Sequence, residues 1–281
     1  MQGRGGVGYL DVWKECSMLS WLLYLVLGSG AGILAGLLGV GGGLVIVPLL
    51  VFAFSGQGFP EAHLLHMALG TSLATIMFTS VASMRAHHSR NAVDWPVVRR
   101  ISPGIVAGTF LGSWVAAHLT TGFLKIFFTC FMYFVAAQML LNVSPPAGRR
   151  IPGSSGLIGA GSLIGMVSSL VGIGGGTLSV PFLQWCNLPF KTAIGTSAAI
   201  GFPIALAGTV GYIVNGLFVP DLPTASLGFI HLPALVGVAA ASFLTAPLGA
   251  RLAHSLPVPK LKKIFALLLI ATGTKMLFSL L

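Results

Sequence analysis

Between Gly36 and Leu50 the chain reads GxxGxGGGxxxxPxL, and 133 positions later Ser169–Leu183 repeats the string with one departure, Ser169 in place of Gly36. Adjacent glycines lose the most conformational entropy on ordering, and Pro48 or Pro181 lacks the donor for a helical hydrogen bond, so each string interrupts a helix. The surrounding sequence is apolar. Broken backbone at membrane depth is tolerated only where it is buried in protein or lines a cavity, so a break made twice points to a site as well as to a fold.

The chain has 281 residues, 55% hydrophobic and 7% charged, with a mean hydropathy of +0.94, which fits a polytopic membrane protein and not a soluble domain. Fifteen Lys and Arg face five Asp and Glu. The basic residues lie in short connections between apolar spans and read as topology signals, so nucleic acid is not an expected partner. Cys16, Cys130 and Cys186 share no metal or redox spacing. Residues 1–19, with Arg4, Asp11, Lys14 and Glu15, lack a basic-then-apolar order and read as a retained tail, not a cleaved signal peptide.

Eight hydrophobic segments fall near 20–55, 62–84, 103–119, 123–142, 156–186, 191–214, 227–248 and 264–281. The Pro-, Gly- and Arg-containing stretch at 143–155 divides them into repeats over 20–142 and 156–281. Gly70-Thr71-Ser72 answers Gly195-Thr196-Ser197, and Gly112–Phe127 resembles Gly249–Phe265 with one residue inserted. If all eight segments crossed once, eight basic residues would face six, hardly a bias. If each glycine segment instead enters and returns as a re-entrant hairpin of two half-depth helices, each half has three crossings. One face then collects Arg85, Arg90, Arg99, Arg100, Arg149, Arg150, Lys191, Arg251, Lys260, Lys262 and Lys263, leaving Arg4, Lys14 and Lys125 opposite. Eleven against three obeys the positive-inside rule. The expected fold is an all-α polytopic membrane protein of two inverted repeats, each a re-entrant hairpin plus three transmembrane helices, with a cytoplasmic linker and both termini periplasmic.

A helix starting inside a membrane presents unpaired N–H groups and its positive dipole end, which attract anions. Gly41, Gly42, Gly43 and Leu44, and likewise Gly174, Gly175, Gly176 and Thr177, sit at two such starts. Thr71, Ser72, Thr196 and Ser197 offer hydroxyls at equivalent positions of the halves and complete the candidate substrate site. Single glycines and hydroxyls in apolar helices more often serve packing, as Gly104, Gly108 and Gly112 do at GxxxG spacing; duplication favours the site. The second half adds Ser168, Ser169, Thr177 and Ser179 where the first has Ala35, Gly36, Leu44 and Ile46. An asymmetric lining is expected.

Asp11, Glu15, Glu61, Asp94 and Asp221 all fall in the tail or loops, so no deep carboxylate marks a cation site or a proton carrier. His66, His118 and His231 lie near segment ends and read first as interfacial, and Lys191 as snorkelling to the cytoplasmic surface. Arg85–Arg90 and Lys260–Lys263 read as anchors on anionic headgroups, and adjacent His87 and His88 point different ways, which disfavours a metal site. There is no HExxH, no acidic pair, no GK[ST] after the glycines and no βαβ context, so neither catalysis nor a cofactor or metal is expected.

The duplicated GxxGxGGGxxxxPxL string, Gly36–Leu50 and Ser169–Leu183, followed each time by GTS, resembles the TauE/SafE sulfite and organosulfonate exporters, also called the 4-toluene sulfonate uptake permease family. The resemblance runs from about residue 22 to the end of the chain. It implies a secondary transporter in the bacterial inner membrane for sulfite, thiosulfate or an organosulfonate such as sulfoacetate, by alternating access around the hairpins, with export the commoner direction. Uptake of such an anion and a passive anion channel are the alternatives. Expected partners are the small anion and the lipid bilayer. Coupling stays open between a proton and a sodium ion, and assembly between monomer and homodimer.

Overall fold

The computed structural model describes residues 18–38, 42–141, 148, 151–255 and 258–278, with side chains described except at 35–38, 246, 247, 249–255 and 258–262. Gly41, the tail up to residue 17 and most of the 143–155 linker lie outside the described residues. The elements are α1 (Met18–Leu38), α2 (Gly43–Gly56), α3 (Leu64–His88), α4 (Trp95–His118), α5 (Thr121–Leu141), α6 (Ser154–Val171), α7 (Gly176–Trp185), α8 (Phe190–Gly216), α9 (Leu232–Ser255) and α10 (Val258–Phe278). A two-residue hairpin, β1 (Ser226–Leu227) and β2 (Ile230–His231), pairs antiparallel with Ser226 opposite His231. The chain is an all-α polytopic membrane protein; by length and composition, α3, α5, α6 and α8 each suffice to cross a bilayer.

The two glycine strings break their segments as the sequence demands, into α1–α2 and α6–α7. Their arms are unequal, against the expectation of two half-depth helices. With 21 and 18 residues, α1 and α6 run about 31 and 27 Å, whereas α2 and α7, with 14 and 10, run about 21 and 15 Å. The first pair is still a hairpin. Tyr24 Oη donates to Gln57 Oε1 at 2.7 Å, so the end of α2 returns to the level of residue 24. Residues 18–23 overshoot it. Helix α4 starts at Trp95, eight residues before the expected segment. The Asp94 carboxylate accepts from Val97 N–H at 3.1 Å and Pro96 sits in the first turn, so capping carries the helix through Arg99 and Arg100.

The first helix of each half packs against the fourth of the other, α1 on α9 and α6 on α4, while α3 and α8 cross at the centre. Glycine makes both approaches close. A Cβ on Gly104 or Gly108 would collide with the α6 backbone at Ile158 and Ser162. On Gly28 and Gly32 it would meet α9 at Val238 and Ser242, and on Gly161 and Gly165 it would meet α4 at Ile101 and Ile105. The second and third pairs are equivalents under the repeat. Side chains of α3 such as Leu65, Met67, Leu69 and Leu73 are fully buried, whereas Phe110, Trp114, Phe134, Phe243 and Leu267 face outward as an apolar coat suited to lipid.

Side-chain bonds fix which helix ends share a face of the bundle. At one end Thr121 Oγ1 donates to Ala62 O, and His66 Nε2 bonds Ala116 O at 2.9 Å, joining the start of α3 to the turn between α4 and α5. Tyr24, Phe54 and Phe59 close on His231 at this same end. At the other, Asp94 N–H donates to Thr196 Oγ1 at 2.9 Å, joining the start of α4 to the start of α8.

Candidate functional site

The two breaks meet in the middle of the bundle. A Cβ on Gly43 would collide with Gly172 O at 2.5 Å and Ile173 Cα at 2.8 Å, so the start of α2 touches the turn ahead of α7. Ile76 of α3 wedges against both, 3.0 Å from the Cβ position of Gly43 and 2.9 Å from that of Gly174. Ser72 Oγ donates to Gly172 O at 2.8 Å, tying α3 to the second tip. Each short helix begins on a left-handed glycine, Gly42 at φ 75° and Gly175 at φ 78°, with no side chain capping it. Left-handed backbone is why glycine stands there, and the absent cap leaves the first helical N–H groups free of side-chain partners.

Ser168, Thr177 and Ser179 at the second tip, and Ser197 one turn along α8 from the Gly201 that packs on it, are buried hydroxyls with no hydrogen-bond partner. Ser179 Oγ and Ser168 Oγ stand 3.3 and 3.8 Å from the space a Cβ on Gly175 would take, beside Ile204 Cδ1. Thr177 is the second residue of α7. Ser197 shares a face of α8 with Gly201 and Ile204 by the four- and seven-residue spacing, and Gly201 packs on Gly174 O. Orphaned buried hydroxyls are costly unless something pairs with them. Hydroxyl donors beside a helix N-terminus suit an anion bound without a counter-cation.

Of the residues the sequence singled out, Gly42, Gly43, Gly174, Gly175, Gly176, Thr177 and Ser197 are brought together at the tips, with Ser72 bonded to one of them. Leu44 is buried and apolar. Thr71 Oγ1 accepts from His231 N–H at 3.0 Å and Thr196 Oγ1 from Asp94 N–H at 2.9 Å, so both oxygens hold backbone of the opposite half. Ser168 and Ser179 join the site, and their signal was in the sequence as hydroxyls peculiar to the second copy. Ile76, Gly201 and Ile204 carried no such signal, because their part is packing around the tips.

His118 is exposed, as an interfacial residue would be, whereas the other two histidines are buried. His66 is buried and its Nε2 serves the last carbonyls of α4, Ala116 O at 2.9 Å and Leu119 O at 3.2 Å. His231 is also buried, boxed by Phe59, Phe54 and Tyr24 at ring distances of 5.0, 5.6 and 5.9 Å, with neither ring nitrogen bonded. Burial pushes its imidazole down to about 4, so it is neutral at pH 7. Lys191 is exposed at the start of α8, as snorkelling requires.

Residues 24–276 match the model of the sulfite exporter TauE/SafE family. A probable membrane transporter protein of Haemophilus influenzae is 42% identical over 257 residues, covering 91% of this chain and 97% of that protein. The probable membrane transporter protein YunE of Bacillus subtilis is 28% identical over 218 residues, covering 70% and 80%. One from Methanocaldococcus jannaschii is 25% identical over 263 residues, covering 91% and 94%. No solved structure matches. With a family match across nearly the whole chain and a 42% identical relative of almost equal extent, the chain belongs to the TauE/SafE family of membrane transporters.

Proposed function

We propose that this protein is a secondary transporter that carries a small sulfur-containing anion out across a bacterial inner membrane, by alternating access around the two glycine hairpins. Sulfite, thiosulfate and organosulfonates such as sulfoacetate are the substrates proposed. The observation that carries the anion reading is the set of four buried, unpartnered hydroxyls, Ser168, Thr177, Ser179 and Ser197, at the start of α7. A sulfur oxyanion presents several acceptor oxygens, which neutral donors pair without a basic residue. Both the character of the family, sulfite exporters, and the resemblance of the strings favour sulfur and export.

The contacts at the bundle ends support an inverted arrangement. The first hairpin enters and leaves at the end that holds Ala62, His66 and Ala116; α8 begins at the opposite end beside Asp94 and Ala92, and α6 runs parallel to α4 from that same end, Ile158 against Gly104 and Ser162 against Gly108. Lys275, over the Phe52 ring at 4.2 Å, joins Arg4, Lys14 and Lys125 on the less basic face. Eleven basic residues against four favour a cytoplasmic Asp94 end with both termini outside.

The test is flux of labelled sulfite, thiosulfate and sulfoacetate in proteoliposomes. Saturable, slow exchange of at least one anion is expected. No saturable flux of any of them from folded protein overturns the proposal, and current at high turnover through an open pathway assigns a channel instead.

A further inference from the structure

The two GTS segments do the same thing to opposite halves of the molecule. At Gly70 a Cβ would meet Phe229 O at 2.9 Å, and two residues further along the chain His231 N–H donates to Thr71 Oγ1 at 3.0 Å. At Gly195 a Cβ would collide with Ala92 O, and again two residues further along Asp94 N–H donates to Thr196 Oγ1 at 2.9 Å. Glycine admits the partner's carbonyl, and threonine takes the N–H that follows it. His231 and Asp94 each immediately precede the fourth helix of the opposite repeat, α9 and α4. The bonds bridge 160 and 102 residues of sequence, lie at opposite ends of the bundle, and involve threonines that are fully buried.

The bond at Thr71 is buried and the one at Asp94 part-buried, and taking away the partner of a backbone N–H shielded in this way is costly unless water replaces it. Either bond therefore breaks at low cost only when its end of the bundle admits water, the event that opens a pathway to that side. We propose that the GTS segments are paired clasps, with Thr71 holding the outer mouth shut on the α9 connector and Thr196 the cytoplasmic mouth shut on the α4 connector, and that each cycle releases one clasp while keeping the other. This rests on the transporter reading. Thr71 and Thr196 are positioning residues in it, acting through the connectors and not on the anion.

The test uses the full chain with its three cysteines replaced by serine and a single reporter, Ser80→Cys. Ser80 is a buried α3 residue whose Cβ lies 3.7 Å from the Cβ position of Gly201, near the tips. A membrane-impermeant thiol reagent is applied to either face of oriented vesicles. Thr71→Val is expected to raise labelling from outside severalfold and lower it from the cytoplasmic side; Thr196→Val does the reverse, and Thr71→Ser or Thr196→Ser behaves as the parent. Equal changes from both sides, or none, in folded protein overturn the clasps. Should the valine variants fail to fold, Thr71→Cys with His231→Cys and Thr196→Cys with Asp94→Cys serve instead. Cross-linking either pair should stop flux until reduced and leave the reporter open only to the other side; cross-linked protein labelled equally from both sides overturns the proposal. The labelling needs no substrate, so side-specific labelling without anion flux contradicts the transport reading alone, and saturable flux without side-specific labelling contradicts the clasps alone.

Discussion

Leu44 and Ile46 fill the first hairpin tip at the positions that Thr177 and Ser179 hold in the second, behind N-cap glycines of nearly equal φ, 75° and 78°. The backbone device is therefore common to both, and the hydrogen-bonding capacity is not. Leu44 and Ile46 are buried and need no partner, whereas Ser168, Thr177, Ser179 and Ser197 are buried and have none. A duplicated motif in a two-fold fold need not give a two-fold site. One copy carries hydroxyls at these positions, and the other carries aliphatic side chains.

The comparison breaks most severely with Gly175→Val. Its side chain would occupy the space beside Ser179 and Ser168 and strike Ile204. Losing two charge-assisted bonds at about 1.5–3 kcal/mol each lowers anion affinity on the order of 100-fold or more, and flux is abolished. Left-handed strain of roughly 1–2 kcal/mol leaves the protein folded, checked by size-exclusion profile. Gly42→Val also stops flux, since the tips meet, but only Gly175→Val removes equilibrium anion binding. If both variants transport normally, the site assignment is wrong.

Next in size is Ser168→Ala, or Ser179→Ala, each expected to weaken anion binding about 10-fold. Thermal stability of the anion-free protein should stay level or rise, because an orphaned hydroxyl contributes nothing there. A fall in stability with unchanged affinity would mean the hydroxyls are structural. Leu44→Thr with Ile46→Ser carries second-tip chemistry into the first. Binding is expected to change within about threefold, under ~0.7 kcal/mol, while stability drops by a few kcal/mol from lost burial.

The smallest effect separates the two clasps. Asp94 caps α4 with its carboxylate, but His231 is an enclosed imidazole. Its folded value of about 4 lies below the ordinary 6.5, so the unfolded chain takes up the proton first as pH falls. Stability is fully present above pH 6.5 and declines from there toward pH 4. A melting temperature lower by a few degrees at pH 5 than at pH 7, with the drop reduced in His231→Phe, is the expected result.

Much of this was legible in the chain. The glycine strings gave the breaks, the repeat gave the correspondence between segments of the two halves, and Ser168, Thr177 and Ser179 gave the difference between the tips, because each is a local pattern read in duplicate. The α4 start was hidden by Arg99 and Arg100, which an apolar window rejects although Asp94 and Pro96 favour a helix there. Thr71 and Thr196 read as lining because their actual partners are backbone N–H groups 160 and 102 residues away, which no side-chain pattern encodes. Burial of His66 and His231 is likewise tertiary, set by the α4–α5 turn and by the rings of Tyr24, Phe54 and Phe59.

The most direct test is a structure determined in the presence of sulfite or thiosulfate. An anion should appear at the start of α7, within hydrogen-bond reach of the N–H groups of Gly176 and Thr177 and of the Ser168, Ser179 and Ser197 hydroxyls. Density against Leu44 and Ile46 at the first tip, or a second tip that stays empty at saturating anion, contradicts it.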